Sequence, residues 1–527
     1  MKLKIKNFKL KIIDFVSNNK KEILILGLIL LVGTFFRLYK ISSYMTFLGD
    51  EGRDVIIVRR LLTEGHPPLI GPGTSIGNMY LGPFYYYMMA PALLLAAFSP
   101  VGPAIEIAIL GIVTIWFVWY AFREWFPVGK FLNVGALVAA GLYAISPTII
   151  IYSRSSWNPN IMPFFALLSV FSIWKVWKDH KFNWLLAMGF SFAAVVQSHY
   201  LGLLLAPTLF IFWALTIWNL KKSKKWKLEG KDFRRKSIFG IIIFILLMSP
   251  LFFFDLRHNW INTRAMYQFF TVRQTTVSIK PWTALPKIPE MLKTIDTTLV
   301  GGKNILAGEI MAVIFGLGLI ALIIYAIRLG KKNIGKFNPA YYLLILWLGF
   351  GLIGFGIYKQ NIYDHYFGFL FVVPYIIIGI IVSLLFKHGK LGKILGASLV
   401  IYLVVVNLMQ NPLKFAPNNQ LQRASDVSKK IEEVYSGQRF NLGVIAVQNY
   451  EDGYKYFLLK DKMPVVDIDS QVKDSITNQL FVVCELEKSK CDPTHNAVAA
   501  VANFGWSKVD SQWTVDGAQV YKLIHSK

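Results

Sequence analysis

Two carboxylates stand side by side in Phe47-Leu48-Gly49-Asp50-Glu51-Gly52-Arg53-Asp54, flanked by glycines and followed by an arginine. Adjacent acids just beyond a membrane helix can take a proton from a hydroxyl or bind a cation. The same residues also fit a helix N-terminus, with Asp50 as the cap and Glu51 favoured by the dipole. The segment continues through Glu64-Gly65-His66-Pro67-Pro68, a glycine-rich stretch to Asn78, and Tyr80-Leu81-Gly82-Pro83-Phe84-Tyr85-Tyr86. Arg154, within Tyr152–Asn160, lacks an adjacent acid. It can grip a phosphate through two parallel hydrogen bonds, or snorkel to an interface. His199-Tyr200 follows Gln197 and Ser198 at a tight turn, where a histidine is either functional or a hydrogen-bonded structural residue. Asp255-Leu256-Arg257-His258-Asn259, with Asn262 and Arg264 beyond, closes a helix. It combines an acid with anion-binding donors, or simply ends that helix with charge. Tyr363-Asp364-His365-Tyr366 is a similar cluster at the start of another helix.

The elements that must hold these residues are membrane helices. Of 527 residues, 55% are hydrophobic and 16% charged, where a soluble domain carries about a quarter charged. The net charge of +26 does not indicate nucleic acid, because the basic residues sit in short clusters between apolar runs and no folded basic domain carries them. A bilayer core asks for about 17–25 apolar residues per helix. Eleven runs meet or approach this: Ile23–Tyr39, Pro103–Phe122, Leu132–Ile149, Ile161–Trp177, Phe182–Val196, Leu201–Trp218, Ile238–Phe254, Leu306–Ile327, Ala340–Ile357, Phe367–Phe386 and Leu391–Met409. The lysine-rich segments Lys221–Lys236, Arg328–Lys336 and Lys387–Lys393 belong in the cytoplasm, as does the basic N-terminus 1–22. Counting back from Lys221, the further run Phe84–Phe98 cannot cross and reads as a juxtamembrane or re-entrant helix with an aromatic start. The five polar clusters then all fall on the side opposite the lysines. The charge rule never consulted them, so their shared side is informative.

Ile23–Phe36 follows a basic stretch but is succeeded by Arg37-Leu38-Tyr39-Lys40 without a small-residue cleavage site, which predicts an uncleaved signal anchor. Eleven crossings put the polar tail, 411–527, outside the cytoplasm. Leu421–Tyr435 has a helical period, while Leu442–Val447, Tyr454–Leu459, Met463–Ile468, Leu480–Glu485 and Gln519–Ile524 read as short strands. The expected fold class is therefore an all-α polytopic membrane body, 23–410, with a small extracytoplasmic α+β domain. Cys484 and Cys491, both in this tail, either form a disulfide or remain two thiols, and are too few for a structural zinc site.

The acidic pair in the first loop, the Pro-aromatic segment after it and the multi-helix body resemble the GT-C glycosyltransferases. The nearest likeness is to the protein O-mannosyltransferase and lipid A aminoarabinose transferase groups, over about residues 20 to 410. Gly82-Pro83-Phe84-Tyr85-Tyr86 is similar to the Pro-Pro-Leu-Tyr-Tyr segment of the aminoarabinose transferases but lacks the lysine preceding it. His66-Pro67-Pro68 resembles the His-Pro-Pro of the mannosyltransferases, sooner after the acidic pair than in that family. The resemblance implies transfer of a sugar from a polyprenyl-phosphate donor to a protein, lipid or envelope-glycan acceptor outside the cytoplasm, with inversion, at the plasma membrane. Asp50 then serves as base, with Glu51 positioning it or touching the sugar. Arg154, His199, Tyr200, Asp255, Arg257, His258 and Asn259 are candidates for the lipid phosphate and donor. Arg53, His66, Tyr85, Tyr86, Asp364 and His365 are secondary candidates. The acidic pair could hold Mg²⁺ or Mn²⁺, but no second carboxylate cluster makes a case for a metal or other cofactor.

A transporter or flippase of lipid-linked glycans is the alternative. It favours charges buried at mid-membrane and repeated halves with broken helices, and neither feature is visible in this sequence. An envelope assembly protein would need one anchoring helix, not eleven. The sugar and the acceptor are not encoded in any motif found here.

Overall fold

The computed structural model describes residues 17, 19–74, 79–128, 132–271, 277–278, 280–333 and 338–526. Most of the basic N-terminus 1–22, together with Asn78, Lys130 and Lys336, lies outside the described residues.

Every apolar run read from the sequence is helical. In chain order the helices are α1 (Lys20–Leu38), α2 (Gly49–Glu64), α3 (Phe84–Leu95), α4 (Val101–Trp125), α5 (Val134–Ile145) and α6 (Met162–Asp179). They continue as α7 (Trp184–Ser198), α8 (Ala206–Lys222), α9 (Trp226–Arg257), α10 (Ile261–Thr271), α11 (Ile288–Leu299) and α12 (Ile305–Asn333). The bundle closes with α13 (Ala340–Ile357), α14 (Val373–Lys387) and α15 (Gly389–Met409).

Among the described residues, six helical segments are long and apolar enough to cross a membrane, and Asp364–Leu370 with α14 makes a seventh if the pair, bent by 57°, is one span. The protein is thus a multi-pass membrane protein. Two of the expected spans are shorter than a bilayer asks: α5 has 12 residues and α7 has 15. Pro147 explains the first, because it cannot continue α5 and opens a separate short helix, Pro147–Tyr152. The lysine-rich stretch 221–236 is not a loop. Apart from a turn at 223–225 it extends α8 and α9.

The segment 42–83 holds a full helix, α2, that the apolar count did not register because it is amphipathic and carries six charges after Gly49 before Glu64. Its last turn is closed by Gly65 at φ +67°, a left-handed geometry that glycine adopts without strain. Helix α3 packs against α2, α4 and α7, with Tyr85 and Tyr86 buried.

The tail begins with α16 (Gln420–Val434) and contains α17 (Asp452–Lys460). Its sheet has the order β2-β1-β3-β5-β4, where β1 is Phe440–Ile445, β2 Val465–Val466, β3 Gln479–Cys484, β4 Ser507–Val515 and β5 Ala518–His525. The β1 pairings are parallel and those of β5 antiparallel. Strands β1 and β3 are buried at every residue, as expected for strands covered on both faces.

Three tail readings are corrected. Tyr454–Leu459 is helix, not strand; α17 lies between α2 and α16, so apolar residues on two faces blur its period. The strand read at Met463–Ile468 shrinks to two residues. Strand β4 is additional, joined to β5 through Asp516-Gly517, both with positive φ, the dipeptide that favours a tight hairpin. Cys484 and Cys491 are joined as a disulfide.

Candidate active site

A cavity of about 410 Å³ opens at one end of the bundle. Four of the five polar clusters contribute to its wall: Asp50 and Arg53 from α2, Trp157 and Asn158, His199 and Tyr200, and Tyr363, His365 and Tyr366; the cluster at Asp255 does not, and Met266 and Phe269 of α10 take its place. The rest of the lining is mainly apolar, including Leu81, Leu203, Leu204 and Ile357. Segments hundreds of residues apart therefore meet at one place, as their common side of the bundle predicts.

Asp50 stands at the first turn of α2 with its side chain partly exposed. Its Oδ1 accepts from Arg53 Nη1 at 2.7 Å and from the Tyr450 hydroxyl at 2.5 Å. No hydrogen bond to Oδ2 is made among the described residues, which leaves one oxygen for a ligand. Arg53 also holds Asp54 Oδ1 through Nε at 3.1 Å and Nη2 at 2.8 Å. Asp54 is fully buried, and burial raises its carboxyl to about 6 against the lowering pull of Arg53. The Tyr86 hydroxyl donates to the same Asp54 oxygen at 3.2 Å. Arg53 is thereby fixed between two acids, a stiff fork beside the cavity.

Glu51 points elsewhere. It is buried, and its Oε2 accepts the Leu48 N–H at 2.9 Å, one half of a capping box at the start of α2. The acidic pair thus diverges: Asp50 faces the cavity and Glu51 closes the helix. Among the described residues no group of three or more His, Cys, Asp or Glu gathers to hold a metal.

Across the cavity His199 packs against Tyr366, ring centroids 4.6 Å apart, and His365 against Trp157, also 4.6 Å. Burial lowers His199 to about 3, with His365 adding to the effect, so its imidazole is neutral near pH 7. The Tyr200 hydroxyl donates to the Tyr80 carbonyl and accepts from Asn262 Nδ2 at 3.2 Å. Asn262 Oδ1 in turn accepts the Tyr80 N–H at 2.7 Å. This fastens the first loop to the base of α10.

Several expected site residues are not on the wall. Arg154 is buried and donates to the Phe36 and Tyr39 carbonyls at 2.5 and 2.7 Å. It satisfies the end of α1, where orphan carbonyls need donors, and is not free for a phosphate. Asp255 accepts the Asn262 and Thr263 N–H groups at 2.7 and 3.0 Å and so starts α10. Arg257, His258 and Asn259 are exposed outside the cavity, with His258 stacked on Phe254. His66 is exposed beside Glu64. Tyr85 is buried against Ser156, and Asp364 pairs with Lys303 at 3.7 Å. Arg154 and Asp255 each serve a helix end. The residue that sequence reasoning missed is Tyr450, which reaches Asp50 from 400 positions away; no local pattern marks it.

The whole architecture is similar to that of ArnT from Cupriavidus metallidurans bound to undecaprenyl phosphate, with a TM-score of 0.54 at 13% identity over 95% of this chain and 97% of that one. The apo state of the same protein gives 0.54 at 12% identity, with the same coverage. The Archaeoglobus fulgidus oligosaccharyltransferase in its apo form gives 0.48 at 13% identity, over 83% of this chain and 63% of that one. The fold is shared with ArnT. Residues 81–254 match the family model of dolichyl-phosphate-mannose-protein mannosyltransferases; the matched stretch begins after the acidic loop and ends near the close of α9. The fold likeness extends into the tail, beyond the limit near residue 410 set by the sequence motifs. No sequence match was found among curated proteins.

Proposed function

We propose that this protein is a membrane glycosyltransferase that moves a sugar from a polyprenyl-phosphate donor to a hydroxyl acceptor on the side of the membrane opposite its lysine-rich turns. The observation that carries this reading is the half-open carboxylate of Asp50 on the wall of a mostly apolar cavity, within the fold shared with ArnT.

The acceptor hydroxyl approaches Asp50 Oδ2, which takes its proton as the acceptor oxygen attacks the anomeric carbon. The bond from that carbon to the lipid phosphate breaks on the opposite face, its electron pair leaves with the phosphate, and configuration inverts. Arg53 is the cation on the wall nearest to this event. Neutral His199, with Asn158, offers hydrogen-bond donors for the phosphate oxygens. Leu203, Leu204, Phe269 and Ile357 supply apolar surface for the start of the polyprenyl chain.

Support for the orientation comes from the disulfide of the tail, since disulfides persist in oxidising compartments. The test is Asp50→Asn in purified protein given a panel of polyprenyl-phosphate sugars, with release of the lipid phosphate as the signal. The expected result is a loss of about 10²–10⁴-fold in rate with unchanged membrane insertion. Wild-type rates in the variant would remove Asp50 from the mechanism.

A further inference from the structure

We infer that the C-terminal domain supplies positioning residues for Asp50: Tyr450 and Asn449 clasp the start of α2, so that the reactive site is completed only when the tail is docked. This rests on the assignment of Asp50 as the base.

The contact is built from both sides. On the tail, Glu485 at the end of β3 accepts from Asn449 Nδ2 at 2.5 Å and from the Tyr454 hydroxyl at 2.6 Å. That leaves Asn449 Oδ1 aimed at α2, where it accepts the Gly49 N–H at 2.9 Å. The first free amide of the helix is thus satisfied by a residue of another domain, which orders the turn that carries Asp50. One residue on, Tyr450 donates to Asp50 Oδ1 at 2.5 Å, beside Arg53 on the same oxygen.

On α2 the matching feature is a pair of glycines three positions apart. A Cβ at residue 49 would fall against the Tyr450 ring, and one at residue 52 against the backbone of Asp452 and Gly453. Glycines 49 and 52 flank the acidic pair, and their absent side chains form the seat for residues 449–453. Phe47 adds edge contacts with Tyr456 and Phe457, and the Tyr456 hydroxyl donates to the Phe98 carbonyl at 2.5 Å.

With Oδ1 held by two donors, Asp50 cannot rotate and presents Oδ2 to the cavity. Tyr450→Phe keeps the ring on Gly49 and removes only the hydroxyl. The expected result is a fall in kcat of about ten- to hundredfold, the size of one hydrogen bond to a charged group. KM for the donor should stay within about twofold and Tm should not move. Asn449→Ala should lower kcat likewise and speed hydrogen exchange of amides 49–52. A Tyr450→Phe protein with wild-type kcat overturns the inference, as does a loss of kcat matched by a loss of Tm. Asp50→Asn run in parallel separates the two assignments: an active Asp50→Asn protein sinks the base, whereas an inactive one beside a fully active Tyr450→Phe protein sinks only the clasp. Where no donor in the panel turns over, carbodiimide labelling of Asp50 read by mass spectrometry decides. Faster labelling in Tyr450→Phe supports the clasp, and equal rates overturn it.

Discussion

Glu51 and Asp50 are adjacent, yet only one of them is available to a ligand. Burial raises the Glu51 carboxyl from its ordinary 4.5 to about 7, so between those values the folded chain holds a proton that the unfolded chain has released. Stability from this residue is therefore lost as pH rises through the window. Glu51→Gln keeps an oxygen for the Leu48 N–H and removes the ionisation. Its Tm relative to wild type should rise between about pH 5 and about pH 8; a constant difference would contradict the burial argument. Glu51→Ala, without the oxygen, should lose about 1 kcal/mol at either pH. At this scale the sequence was informative about residue types and poor about partners. Asp50 stood out as half of an acidic pair beside glycines, and it lies on the cavity wall, although the same pattern also fits the helix N-terminus that the structure shows there. Arg154 and Asp255 were misread because a cation at a helix end and an acid at a helix start look the same whether they meet a ligand or the backbone.

Elements were easier to read than side chains where lipid sets the pattern. Apolar runs have no competing explanation in a chain this long, so all of them became helices, and the aromatic run at Phe84 took its place beside α2 without being counted as a span. Helix α17 was harder, because packing on two faces removes the periodicity on which a helix is recognised. Its seat on α2 offers a test at the same scale. Gly52→Val would drive a branched side chain into the backbone of residues 452–453, at a cost of about 1–3 kcal/mol for overpacking. We expect faster hydrogen exchange in α17 and in α2 but not in α13, which lies away from the seat. Equal exchange throughout would show that the two helices do not depend on each other.

For the whole molecule, loop charge alone grouped five weak clusters on one side, and four of them line one cavity. The sequence did not reveal that the tail closes over the first loop, because contacts across hundreds of residues leave no trace in local pattern. The orientation can be checked directly. With the native cysteines bonded to each other, Glu64→Cys and Ser223→Cys provide single thiols in α2 and in the lysine-rich turn. In intact cells an impermeant maleimide should label the first and reach the second only after permeabilisation. Equal labelling of both would refute the orientation and the mechanism built on it.

The distance along the chain between Asp50 and Tyr450, 400 positions, also has a meaning in time. Ribosomes add about 5–20 residues per second, so about 20 to 80 s separate the synthesis of the two halves of the clasp. During that interval the acid lacks its partner. If Asp50 is the base and the clasp positions it, as proposed above, a nascent or prematurely terminated chain would hold an idle carboxylate, and sugar transfer would begin only once translation had run nearly to completion.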